Sequence, residues 1–149
     1  MRHLLLLHGV GCTGAVFDRM IPSLAARGIT AHAPTLFPDL RTVGPPPPAL
    51  LDLCLKDYVT AAAVEVAKLR AATGAEPWLL GHSMGGLIVQ KLATQGLGVA
   101  GVLLTPAQPA DCQGFSLGPI YTFWNVLQAG DVGRAYKVWD QGFRWGVLN

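Results

Sequence analysis

The chain has 149 residues, of which 51% are hydrophobic and 13% are charged, so a packed core is expected and disorder is disfavoured. The formal net charge is +2, with lysine and arginine scattered singly, which excludes the basic patch of a nucleic-acid-binding protein. Three cysteines without a C-x-x-C pair disfavour a disulfide framework or a zinc site, and no apolar run is long enough for a membrane span, so we expect a reducing, cytoplasmic compartment.

The beginning of the chain predicts two strands with one helix between them. His3 to His8 is a leucine-rich run ended by Gly9, which is typical of a strand buried on both faces. An amphipathic helix follows, which Pro22 is expected to split or kink and Gly28 to stop. Its apolar face consists of Phe17, Met20, Ile21 and Leu24. Ile29 to Ala33 predicts the second strand.

Residues 35–48 are irregular and close with four consecutive prolines, Pro45 to Pro48. Such a run favours an extended segment, which is either a ligand for an aromatic groove or, as we prefer, a stiff surface connection. A long helix follows and is expected to end near Gly74. Its core stripe at helical spacing consists of Leu55, Val59, Ala62, Val66 and Leu69.

Two further strands and one helix continue the alternation. Trp78 to Leu80 predicts a strand, Met84 to Gln95 a helix stopped by Gly96, and Val99 to Thr105 a fourth strand. Strands that alternate with helices predict an α/β fold, here a three-layer sandwich with a mostly parallel sheet and helices on both faces.

The composition changes at residue 106, after which prolines, glycines and aromatic residues dominate. Two short helices are expected there, at about 119–128 and 132–141. We therefore divide the chain into residues 1–105, which form the α/β core, and residues 106–149.

The junction between the third strand and the next helix contains G-x-S-x-G, at Gly81, Ser83 and Gly85. This spacing predicts a tight turn with Ser83 in a strained backbone conformation and its hydroxyl at the carboxyl end of the sheet, because the glycines remove side chains that would collide. The helix that begins at the serine presents free N–H groups and its positive dipole end to developing negative charge. Ser83 is therefore the candidate nucleophile.

A second motif, HGVG at residues 8–11, follows the first strand. Acyl transfer needs two backbone N–H donors where the carbonyl oxygen becomes negative. The amides of Met84, directly after the nucleophile, and of Val10 are the candidates for this oxyanion hole. Because both motifs must then meet at one sheet edge, we expect the strand His3–Leu7 beside the strand Trp78–Leu80.

These segments together resemble the α/β-hydrolase family, in its small esterase, lysophospholipase-like, carboxylesterase and thioesterase members. Residues 3–105 are similar to the family's central run of strands and helices, and residues 106–149 resemble the start of a lid. The resemblance implies a serine hydrolase of a small-molecule acyl ester or thioester, without a metal or other cofactor. It also implies supporting roles in the oxyanion loop and the nucleophile elbow for His8, Gly9, Gly81, His82, Gly85 and Gly86.

The sequence departs from the family order of serine, acid and histidine, because no histidine follows Ser83. Three aspartates do follow it: Asp111, Asp131 and Asp140. The four histidines are His3, His8, His32 and His82. We expect His82 to pack away from the serine hydroxyl and His8 to hydrogen-bond within its loop, so neither suits the general base. The expected fold is therefore incomplete, with the base supplied by a missing C-terminal segment or a second chain.

Other interpretations remain open. Cys12 lacks a histidine with a predicted place beside it, so a small loop residue explains it better than a nucleophile does. Asp111 is at a position where some family members carry their acid, but without a histidine to orient it is better explained as a loop or cap residue. The alternative functions are an inactive hydrolase-like scaffold that binds an apolar ligand or a protein partner, and an acyltransferase. The glycines Gly81, Gly85 and Gly86 favour a catalytic function over a scaffold, since a scaffold gains nothing from a strained turn.

Overall fold

The computed structural model describes residues 2–42, 45–109, 112, 117–130 and 138–147. Within them, four strands form a parallel sheet in the order β2-β1-β3-β4. The strands are β1 (Arg2–Leu7), β2 (Ile29–His32), β3 (Trp78–His82) and β4 (Gly101–Leu104). The helices are α1 (Ile21–Ala25), α2 (Leu55–Thr73), α3 (Met84–Thr94), α4 (Leu117–Thr122), α5 (Trp124–Ala129) and α6 (Asp140–Val147).

Strands β1 and β3 are neighbours at the centre of the sheet, as the two motifs predict. Leu7, the last residue of β1, pairs with Gly81 in β3, so the two strands end almost level with each other. The segments that follow them, which carry the HGVG and GHSMGG motifs, therefore leave the sheet at the same edge.

Helices cover both faces of the sheet, which confirms the predicted layers. On one face, α2 and α3 bury an apolar cluster that includes Leu5, Leu7 and Leu79 of the sheet. On the other face, Leu4, Leu6 and Leu80 pack against Phe17 and the residues around α1. Successive leucines of β1 point to opposite faces, and the strand is buried on both, because neighbouring strands and helices surround it.

The long helix α2 agrees closely with its prediction. It runs to Thr73, and Gly74 follows with φ 69°, a left-handed conformation that glycine adopts without a Cβ penalty. The helix expected after the first strand is split, as Pro22 predicts. A short 3-10 helix (Gly14–Phe17) and the five-residue α1 replace it, and Pro22 lies in the first turn of α1, where its missing N–H costs no helical hydrogen bond.

Three other predictions need correction, and a fourth falls largely outside the described residues. The fourth strand is shorter than predicted, since β4 covers only 101–104. The helix predicted at 119–128 is two short helices, α4 and α5, because Phe123 between them leaves the helical conformation (φ −106°, ψ 20°). The helix predicted at 132–141 falls largely outside the described residues, and α6 begins only at Asp140.

The four prolines are only partly extended: Pro47 has φ −60° and ψ 142°, but Pro48 already begins a 3-10 turn.

The chain divides into two compact units, Met1–Pro109 and Ala110–Asn149. The first contains the whole sheet with α1, α2 and α3. In the second, the indole N–H of Trp139 donates to the carbonyl oxygens of Tyr121 and Thr122 at 3.0 and 3.1 Å, and the Tyr121 ring lies edge-on to Trp145. In the part of the chain that the structure describes, no helix has both the length and the apolar character needed to cross a membrane.

Candidate active site

Ser83 occupies the single residue between β3 and α3, where the chain reverses direction sharply. Its backbone has φ 55° and ψ −120°, a positive-φ conformation that non-glycine residues rarely adopt. The strained turn predicted for Ser83 is therefore present, while its neighbours His82 and Met84 keep negative φ angles. Such strain persists only where the surrounding structure enforces it.

The flanking glycines enforce this turn by allowing backbone segments to touch. A Cβ on Gly81 would collide with the Gly85 carbonyl, and a Cβ on Gly85 would collide with the Leu7 carbonyl of β1. A Cβ on Gly86 would lie 2.7 Å from Cβ of Pro106, in the loop after β4. The elbow thus requires glycine at 81, 85 and 86 because strand, helix and loop backbones meet there.

The HGVG loop, which carries the candidate oxyanion donor, meets Ser83 at the same place. A Cβ on Gly9 would lie 3.0 Å from Cβ of Ser83 and 3.4 Å from its Oγ. The loop then turns through Val10 and Gly11, with the Cys12 amide donating to the Gly9 carbonyl at 3.3 Å and Gly11 at φ 69°. The two sequence motifs are therefore in contact, as predicted.

The amides proposed for the oxyanion hole, those of Val10 and Met84, have no backbone hydrogen-bond acceptor within the described residues. Met84 is the first residue of α3, where helix geometry leaves N–H groups without an internal partner. The side chain of Val10 is 72% exposed. Val10 and Met84 also line a common cavity of about 440 Å³, so both are accessible to a small molecule.

His8 holds the oxyanion loop and is fully buried. Its Nδ1 lies 2.9 Å from the Gly9 carbonyl oxygen, and its Nε2 accepts the Leu36 amide at 2.9 Å. Because a carbonyl can only accept and an amide N–H can only donate, the ring is neutral with its proton on Nδ1. Burial lowers the pKa of His8, the charge of Arg41 lowers it further, and the hydrogen bond to Gly9 opposes both. With both nitrogens engaged, His8 positions the loop and has no free nitrogen to take a proton from Ser83.

The other histidines, His3, His32 and His82, have no hydrogen bond to Ser83 among the described residues. His82 has a buried Nδ1 without a partner among the described residues. His3 and His32 contact each other, with Nδ1 of His3 at 3.2 Å from Nε2 of His32. The sequence analysis did not predict this pair, although it placed both histidines on strands that could be neighbours in the sheet. Burial, and then the charge of His3, lowers the pKa of His32.

Arg41 is a residue of the candidate site that the sequence did not predict. It lines the same cavity as Val10 and Met84. Its Nη2 donates to the Tyr58 hydroxyl at 3.0 Å and its Nε to the Leu36 carbonyl at 3.3 Å. A single arginine in an irregular segment carries no sequence pattern that distinguishes it from a surface residue.

The remaining sequence candidates are the cysteines and the aspartates that follow Ser83. Cys12, Cys54 and Cys112 are free thiols. Asp111 and Asp131 lie outside the described residues. Across the described ranges, no group of three or more His, Cys, Asp and Glu side chains is placed to hold a metal ion.

Comparison with known proteins defines the class. The sequence pattern of the alpha/beta hydrolase family matches residues 4–148, and the chain belongs to this family. A pyrethroid hydrolase from Sphingobium wenxiniae is 34% identical over 90 residues, which are 60% of this chain and 30% of that protein.

Solved structures show the same fold. An extracellular alpha/beta-hydrolase from a Paenibacillus species superimposes with a TM-score of 0.62 at 19% identity, covering 87% of this chain and 52% of that one. A pyrethroid hydrolase crystallised with a ligand named BIF gives a TM-score of 0.54 at 28% identity, covering 71% of this chain and 40% of that one. The chain therefore spans between about a third and half of the length of these relatives.

Proposed function

We propose that this chain is the nucleophile-bearing part of a serine hydrolase that cleaves carboxylic ester or thioester bonds. The observation that carries the proposal is the strained turn at Ser83, held by glycine contacts and touched by the oxyanion loop. A turn of this kind costs stability, roughly 1–3 kcal/mol for a residue in a sparsely populated region, and is found where function requires it. The similarity to a pyrethroid hydrolase supports an ester as the substrate.

The proposed chemistry follows acyl-enzyme catalysis. The Oγ of Ser83 attacks the acyl carbon while its proton passes to a general base, and the carbonyl π electrons move onto oxygen. The amides of Val10 and Met84 donate hydrogen bonds to this oxyanion, assisted by the positive end of α3. Collapse of the intermediate expels the alcohol or thiol, which receives the proton from the base. Water then repeats the sequence on the acyl-serine and releases the carboxylic acid.

The general base in this proposal is a histidine outside residues 1–149. No hydrogen bond within the described residues joins the Ser83 hydroxyl to a histidine, and no histidine follows Ser83 in the sequence. The histidine and its acid would come from a further C-terminal segment or from a second chain. In the same proposal, residues 106–149 are the start of a helical lid.

Labelling with a fluorophosphonate probe tests this function, because the probe phosphonylates an activated serine. We expect the probe to mark the peptide that contains Ser83 when the native protein is labelled in an extract of its source. Ser83→Ala should abolish the label, whereas Ser23→Ala, at an exposed position in α1, should leave it unchanged. An unlabelled Ser83 peptide in an extract where the protein is detected would instead favour an inactive scaffold.

A further inference from the structure

The cavity beside the proposed oxyanion hole is apolar with one charged group in its wall. Besides Val10 and Met84, it is lined mainly by leucines and Tyr58. The leucines are Leu50, Leu53, Leu55 and Leu87. Arg41 is the only ionised side chain among the lining residues that the structure describes. A volume of about 440 Å³ is within the range of small-molecule pockets.

Arg41 is anchored in a fixed position. Its Nη2 bonds to the Tyr58 hydroxyl, its Nε bonds to the Leu36 carbonyl, and Cζ lies 5.6 Å from the centre of the Tyr58 ring. A guanidinium has five N–H donors, so these two bonds leave the Nη1 group and one donor on Nη2 for another partner. Because the anchoring contacts hold the plane of the group, the remaining donors are preorganised for a planar acceptor.

The charge of Arg41 has no counterion in the described part of the chain. The ion pairs found there join Lys68 with Glu65 and Arg70 with Glu76. Arg41 is half-buried, and a partly desolvated cation without a counterion attracts an anion. A carboxylate, with its planar pair of oxygens, matches the geometry of the free donors best.

We propose that Arg41 binds a free carboxylate on the substrate, so that this site selects hemiesters of apolar diacids over neutral esters. The apolar chain of the diacid would pack against the leucines, and the ester carbonyl would lie at the Val10 and Met84 amides. This inference rests on the proposed ester hydrolysis and adds to it the charge of the substrate.

Ligand binding to the chain with Ser83→Ala tests the proposal without turnover. Isothermal titration calorimetry at pH 7 would compare monomethyl suberate, which carries a carboxylate, with neutral dimethyl suberate. We expect the hemiester to bind roughly tenfold or more tightly, since a charge-assisted hydrogen bond gives a preference of that size. Adding Arg41→Gln should remove this preference, and Arg41→Lys should retain part of it, because lysine keeps the charge but lacks the planar fork.

A matched control is Arg27→Gln, because Arg27 is an exposed arginine whose Nη1 donates to the Ser23 carbonyl. It should leave the preference for the hemiester unchanged. The proposal is overturned if the hemiester shows no preference or no measurable binding, or if the preference survives Arg41→Gln. If Arg41→Gln does not fold, a preference in Arg41→Lys equal to that of the parent overturns it. Probe labelling of Ser83 does not depend on a substrate carboxylate, so failure of the hydrolase proposal would be seen separately.

Discussion

At Gly85, the first turn of α3 lies directly against the end of β1, with no room for a Cβ beside the Leu7 carbonyl. We expect Gly85→Val to destabilise the fold by about 1–3 kcal/mol or more, the range typical of overpacking, and not only to lower activity. Ala93→Val is the control, because Ala93 is on the same helix but exposed to solvent. Urea denaturation of both variants measures the difference, and an unchanged midpoint for Gly85→Val would argue against the tight elbow.

At the residue scale, the sequence predicts what depends on local spacing. Gly81, Ser83 and Gly85 are close in the chain, so their steric relation is readable from the motif. His8 was expected to bond within its loop, which its contact with Gly9 confirms, but its second bond, to Leu36, joins residues far apart in sequence. Arg41 was missed for the same reason, since its role depends on a cavity that exists only after folding.

We expect the contact between His3 and His32 to make the pairing of β1 with β2 sensitive to acid. Because the pKa of His32 is lowered on folding, its contribution to stability is full above the unfolded value of about 6.5 and is lost as the pH falls towards the folded value. We expect thermal stability to fall between about pH 7 and pH 5, and to fall less in His32→Gln.

Other titratable groups lie near His32 and must be separated from its effect on stability. Glu65 and Lys68 line the same cavity as His32 and form an ion pair with each other at 2.7 Å. Because His32→Gln leaves both residues in place, the difference between the two pH profiles reports on the histidine. His8 shifts in the same direction and should leave a residual acid sensitivity in His32→Gln. An identical pH profile in His32→Gln and the parent chain would contradict the prediction.

At the element scale, the periodicity of apolar residues determined how well the helices were predicted. The sequence of α2 repeats its apolar positions over five turns and ends in glycine, so its extent was predicted closely. The segment around Pro22 has helical periodicity too, but it folds as two short pieces, since proline favours a new first turn over continuation. Phe123 interrupts the next helical segment without a glycine or proline at that position, so no local signal marked the break.

In the whole molecule, β4 is an edge strand that exposes apolar side chains. Val102 and Leu103 are 42% and 40% exposed, and Val99 just before the strand is 62% exposed. An exposed apolar edge is a template for another strand. The relatives are about twice as long as this chain, so we propose that a further segment or chain pairs with β4 in the complete protein.

We therefore expect the isolated chain to have only trace esterase activity. Loss of a triad member removes several powers of ten in rate and leaves the contribution of the oxyanion hole and binding. Turnover of p-nitrophenyl acetate should lie far below the range of about 1–1,000 per second typical of enzymes. Brisk turnover that Ser83→Ala abolishes would show that a base within residues 1–149 activates the serine, and His8 and His32 would be the first to reconsider.

The carbonyl oxygen of Ser83 accepts two amides, that of Gly86 in α3 and that of Ala107 after β4, each at 2.9 Å. One of these donors belongs to α3, and the other belongs to the loop that follows β4. Protection of the Ala107 amide from hydrogen exchange therefore measures how often the turn at Ser83 opens. The measurement needs no substitution of a site residue. If a further strand beside β4 slows hydrogen exchange at that amide, a single NMR signal would show that the added strand also stabilises the turn at Ser83.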